Sequence, residues 1–185
     1  MSATTTLSIE PYFDLEEFMN HSRENRIDNQ ALEKLLELWE NWSKLLTAKK
    51  IENDGASWLA VWLPEEIETA VDEAWQTAPS LGYLLNALAQ YLSMSAIQEL
   101  IPQVAQGNCA PAPAPDLRFL QALDGAGLPC REDGTPRDRR YAVITHYPFK
   151  GGCEVCNLIS RCPKGSGKED FATVVLPGYE RGVNG

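Results

Sequence analysis

Histidine is nearly missing from this sequence. His21 and His146 are the two imidazoles in 185 residues, so a Cys-His nucleophilic pair has little to draw on. Basic residues are scarce in the first 110 positions, where 17 acids face 6 bases, while positions 111–185 carry 9 acids and 10 bases. The first part would repel phosphate backbones and anionic lipid heads, which excludes nucleic acid and membrane surfaces as its partners. Long apolar runs are absent as well: none approaches the roughly 20 residues that a membrane-spanning helix needs. The start, MSATTTLSIEPYFDLEEF, has no basic residues leading into an apolar run, so the expectation is a cytoplasmic protein whose thiols stay reduced. Cysteine is limited to five, an odd number that suits ligation better than a disulfide framework.

What the sequence does have is helical periodicity. Leu32, Leu35, Leu36, Trp39, Trp42, Leu45 and Leu46 recur at helical spacing, which predicts a helix over 28–50 with Asp28 as its N-cap and Lys49 and Lys50 at its C-terminal end. A shorter helix is expected around Asp14 to Asn20. After a turn at Asn53-Asp54-Gly55 and the stretch SWLAVWL, Pro64 fits the first position of a helix facing inward through Ile67, Ala70, Val71, Ala74 and Trp75. Pro79 interrupts that run. Leu81 to Leu92 reads as a buried central helix, and Ser95 with Gln98 resembles a capping box for a further helix shortened or kinked by Pro102. The five tryptophans, at 39, 42, 58, 62 and 75, read as core packing.

The alternating prolines of CAPAPAP act as a semi-rigid spacer, followed by a brief helix capped by Asp116 and stopped at Gly125-Ala126-Gly127. The expected organisation is an acidic helical part (1–108), a Pro-rich hinge (109–115), and a short helix with a two-stranded metal-binding part (116–185). YAVITHY (141–147) and FATVVL (171–176) are rich in β-branched and aromatic residues and read as a pair of strands. The fold class expected is mainly α, a bundle-like N-terminal part with a small C-terminal β-hairpin that carries a cysteine-rich metal loop.

That loop, GGCEVCNLISRCPKGSG, holds Cys153, Cys156 and Cys162. Two thiolates two residues apart can face one centre from a single turn, and Cys162-Pro163 can close it from the other side. Zinc sites usually combine two short knuckles, or one knuckle with histidines, and no second knuckle exists here. A three-cysteine loop joined by one remote cysteine, with proline after the last ligand, suits an iron–sulfur cluster, most readily 4Fe-4S, with zinc as the alternative metal. Lys150, Arg161, Lys164 and Lys168 could offset the negative charge of the cluster, and the flanking glycines leave amide groups free to approach sulfur. Cys130 is the preferred fourth ligand; Cys109 and His146 are the other candidates. KGSGK at 164–168 fails the phosphate-loop pattern at two positions, Cys162 and Glu169. CEVC lacks the strand-to-helix setting of a redox dithiol. The carboxylate pairs Glu16-Glu17, Glu65-Glu66 and Asp72-Glu73 are explained by helix first turns and solvated faces. No catalytic residue set emerges.

The spacing Cys153-x2-Cys156-x5-Cys162 resembles the three-cysteine clips of RecB-type nucleases, of the SPASM extensions of radical-SAM enzymes, and of NifQ-type molybdenum-delivery proteins. The last are similar in size, in their helical N-terminal part and in having the clip near the C-terminus. Their pattern, C-x4-C-x2-C-x5-C, would place its first cysteine at Pro148. The chain lacks the carboxylate-lysine motif of the nucleases and the catalytic C-x3-C-x2-C of radical-SAM enzymes. The resemblance spans about ten residues and implies cluster ligation by the three clip cysteines. The resemblance says little about the process served; the leading expectation is a non-catalytic accessory factor in metalloenzyme assembly, metal delivery or electron supply, whose partner is another protein such as a metalloenzyme or its assembly machinery. The other reading is a zinc-stapled protein–protein interaction module with no redox role.

Overall fold

The computed structural model describes residues 2–162. Within them the chain is an α+β fold: a four-stranded antiparallel sheet, in the order β1-β2-β3-β4, with helices on both faces. The strands are β1 (Ser2–Thr6), β2 (Thr47–Asn53), β3 (Ala56–Trp62) and β4 (Val143–His146). The helices are α1 (Leu15–Ser22), α2 (Asn29–Ser43), α3 (Glu65–Thr77), α4 (Pro79–Leu100), α5 (Pro102–Ala105) and α6 (Leu117–Ala126). This corrects the expectation of a helical bundle followed by a separate hairpin. Three of the four strands lie before residue 63, and β4 pairs with β3, Trp58 opposite His146 and Val61 opposite Val143. FATVVL lies outside the described residues.

The helix expected over 28–50 stops at Ser43, and Lys49 and Lys50 belong to β2 instead. The apolar spacing of α2 carries on through Leu45 and Leu46, so periodicity alone cannot place the break. Long-range pairing decides it: Thr47 to Asn53 pairs with β3 along its whole length and, from Lys49 on, with β1 as well, and tertiary contacts override local helical preference. Lys49 still serves a helix C-terminus, but that of α6. Its ammonium donates to the Ala126 carbonyl at 2.7 Å and lies over the Trp62 ring, where the negative end of the helix favours a cation. Asp54-Gly55 closes the β2–β3 hairpin, both residues with positive φ (46° and 80°), the backbone that a two-residue turn of this kind requires.

β3 is buried on both faces, which explains its nearly unbroken apolar sequence. Trp58, Ala60 and Trp62 meet Phe119, Ala122, Leu123 and Ala126 of α6 on one side. Leu59 and Val61 meet Ala96, Ile97, Ile101 and Val104 on the other. A third core joins α1 to α4, with Phe18, Leu35, Trp39, Leu88 and Leu92 at its centre. Each of these large side chains contributes about 1.5–3 kcal/mol by leaving water. Contrary to the sequence expectation, helix α4 runs unbroken past Ser95 to Leu100, with Ser95 buried inside it, and the break falls at Pro102, where the helix loses a donor. Trp75 is a second correction: it is 41 % exposed rather than in the core.

The charge asymmetry between the two parts of the chain has a structural counterpart. Arg139 lies 2.7 Å from Asp72 and 3.7 Å from Glu68, and the Arg140 guanidinium donates to the Leu63 carbonyl at 2.7 Å. The basic run before β4 thus fastens to the acidic α3.

Candidate metal centre

The three clip cysteines follow β4 directly. The β3–β4 ladder is extended by the Tyr147 amide, which donates to the Ser57 carbonyl at 3.0 Å. Gly151 and Gly152 then turn the chain. At Gly152, φ is 109° and a side chain would run into the Glu154 carboxylate, so only glycine suits the position.

Two short 3-10 turns follow, Cys153–Val155 and Ile159–Arg161. Each is closed by a backbone bond of the same kind: Cys156 N–H donates to the Cys153 carbonyl (3.2 Å) and Cys162 N–H to the Ile159 carbonyl (3.4 Å), with Ile159 N–H to Cys156 linking them (3.1 Å). Each turn ends on a cysteine in nearly the same extended backbone, φ −88°, ψ 121° at Cys156 and φ −88°, ψ 124° at Cys162. The segment is therefore a repeated turn-then-cysteine unit. It is anchored to the body of the protein by Asn157 N–H, which donates to the Ala112 carbonyl at 2.9 Å. The buried Thr145 hydroxyl of β4 donates to Pro111 in the same Pro-rich stretch, also at 2.9 Å. CAPAPAP thus runs between β4 and the clip and touches both.

All five cysteines are free thiols. Cys153 is exposed, and Cys156 and Cys162 are half-buried. Cys109 is exposed at the start of the Pro-rich stretch. Cys130 is half-buried, packs against the core beneath α6, bridges to Pro136, and directs its thiol at the Leu128 carbonyl 3.5 Å away. Burial pushes the Cys130 thiol up to about 11, with the Asp133 carboxylate adding to the effect. It is thus a protonated thiol at neutral pH, and ligation would have to displace that proton.

His146 sits at the end of β4 opposite Trp58. Its Nε2 is buried and has no hydrogen-bond partner among the described residues. Burial lowers its pKa below the ordinary imidazole value, the Val155 backbone opposes that shift, and the Lys150 ammonium reinforces it. The Val155 interaction places the ring beside the first turn of the clip. Among the described residues, no three His, Cys, Asp or Glu side chains are already gathered around one point. The fold brings the three clip thiols onto one anchored segment with His146 next to it, and keeps Cys130 under α6. Sequence periodicity did not reveal the attachment of the clip to Ala112, nor that of β4 to Pro111.

Among the described residues, no helix is long and apolar enough to cross a membrane. Comparison with protein-family models, with curated proteins and with solved structures found no match to this chain.

Proposed function

We propose that Cys153, Cys156 and Cys162 form a thiolate clip for a metal centre, of iron–sulfur type and most readily 4Fe-4S, and that the protein serves as an accessory factor in metalloenzyme assembly, metal delivery or electron supply. The supporting observation is the repeated turn: Cys156 and Cys162 end successive 3-10 turns in matching backbones, and Cys153 opens the first. Three soft donors on one tethered segment suit a thiophilic centre. Such a role requires a reducing compartment such as the cytoplasm, where thiols stay free. Residues 163–185 and their lysines lie outside the described residues.

The second reading, a zinc-stapled interaction module, is favoured by His146. Its ring lies beside the turn and its Nε2 is buried without a hydrogen-bond partner among the described residues, which is the type of nitrogen that completes a Cys3His site. Anaerobic purification followed by metal and sulfide analysis separates the two. A brown protein with acid-labile sulfide supports the cluster, and a colourless protein with one zinc supports the staple. Neither metal after reconstitution with iron, sulfide and zinc would sink both.

A further inference from the structure

On α3, Glu68 and Asp72 are paired with Arg139, whereas among the described residues no ion pair engages an acid of α2. Between Asp14 and Ser43 there are eight acids and three bases, and among the described residues no ion pair engages Glu24, Glu33 or Glu37. Beside these carboxylates the surface is hollowed. The N-terminal half of α2 and the α3–α4 corner enclose two adjoining depressions of about 600 and about 470 Å³ that share Asp28 and Ala31. Their lining combines the apolar Ile27, Leu81, Leu84, Trp75 and Tyr83 with four acids, Glu24, Asp28, Glu33 and Glu37, that outnumber the two bases, Arg26 and Lys34.

Two of the apolar residues are held out by the fold. Trp75 and Tyr83 are 41 % and 39 % exposed. Gly82 of α4 rests against the backbone and ring base of Trp75, so the indole cannot withdraw between the helices. The Tyr83 hydroxyl is tied to the Ser22 carbonyl. A fixed, exposed indole in a hollow rimmed by charge is the arrangement of an interface anchor.

We propose that this groove binds a basic amphipathic helical segment of another protein, whose apolar side chains seat on Trp75, Tyr83 and Leu81 while its lysines or arginines meet Glu24, Glu33 and Glu37. Charge complementarity selects this occupant: an acidic segment would be repelled, and a purely apolar one would leave the carboxylates unanswered. The proposal is independent of the metal.

The test uses the full chain and a synthetic amidated peptide of about 18 residues, five helical turns, with leucine at i, i+3, i+4 and i+7 spacing and lysine elsewhere. The controls are a scrambled peptide of the same composition and one with glutamate for lysine. Calorimetry should show saturable one-to-one binding of the patterned peptide alone, with amide shifts confined to residues 24–37 and 75–84. Trp75→Ala and the double change Glu33→Lys, Glu37→Lys should each weaken it by about tenfold or more. Both sites are solvent-facing, and an unchanged circular dichroism spectrum shows that the variants fold. Equal binding of the scrambled peptide, shifts elsewhere, no binding, or variants that bind as the parent does would each overturn the proposal.

Discussion

Gly82 lies directly against Trp75: a Cβ at position 82 would sit 2.7 Å from the Trp75 backbone nitrogen and 2.8 Å from its Cα. Here α4 approaches α3 closely, and these partner atoms are backbone, which cannot rotate away. Gly82→Ala should therefore destabilise the protein. Alanine in place of a helical glycine gains roughly 0.5–1 kcal/mol in propensity, whereas overpacking of this kind costs about 1–3 kcal/mol, so the clash wins. A urea midpoint at or above that of the parent would show that α3 slides aside without penalty.

Cys130 should be the last of the five thiols to react. Only the thiolate attacks, and burial pushes the Cys130 thiol up to about 11, while Cys109 and Cys153 are exposed. Timed alkylation of metal-free protein at mildly alkaline pH, read by peptide mass, should label Cys109 and Cys153 early and Cys130 late. Early labelling of Cys130 would mean that its packing beneath α6 is loose.

Much of the helical part was legible because caps and periodicity coincide there. Asp14, Asp28 and Asp116 accept from Glu17, Ala31 and Phe119 respectively, each at the helix start that the sequence suggests, and Gly127 ends α6 in the left-handed conformation. What escaped was the sheet. β1 is a short polar run, and β2 begins directly after Leu45 and Leu46, which prolong the apolar spacing of α2; both strands owe their form to partners distant in sequence, which no local window contains. Trp75 escaped for the opposite reason, since its spacing matches the buried face of α3 while the close approach of Gly82 leaves the indole no room inside. Of the candidate site, the clustering of Cys153, Cys156 and Cys162 was plain, but the attachment of Asn157 to Ala112 and the position of His146 beside Val155 depend on the β3–β4 ladder.

His21 makes stability sensitive to pH. It packs against the Tyr91 ring; burial lowers its pKa below the usual 6.5, and a hydrogen bond with Gln90 partly opposes this. With the folded value below the unfolded one, the unfolded chain takes up the proton first as pH falls. Stability is thus full above the unfolded pKa and declines as pH drops through it toward the folded value. The neighbouring Glu17 and Tyr91 hydroxyl, which hydrogen-bond one another, do not reverse that sign. His21→Gln should flatten the decline between about pH 7 and pH 5, where an ordinary imidazole titrates, as measured by urea midpoints; a slope as steep as that of the parent would assign the effect elsewhere.

Cys156→Ser bears most directly on the metal proposal. Cys156 ends the first turn and begins the bond to Ile159, so its sulfur stands between the other two thiols in the chain. Its side chain belongs to none of the three hydrophobic cores, and serine preserves the backbone donor and acceptor that shape the turn. Metal content should fall to background in this variant, while the urea midpoint of the metal-free protein stays within about 0.5 kcal/mol of the parent, as for a surface change. The fourth donor is settled by the same measurement on Cys130→Ser and His146→Gln. Loss of metal in the first variant alone selects Cys130, and loss in the second alone selects His146, whose ring lies beside the turn. Parent-level metal in Cys156→Ser would remove the clip as the binding element.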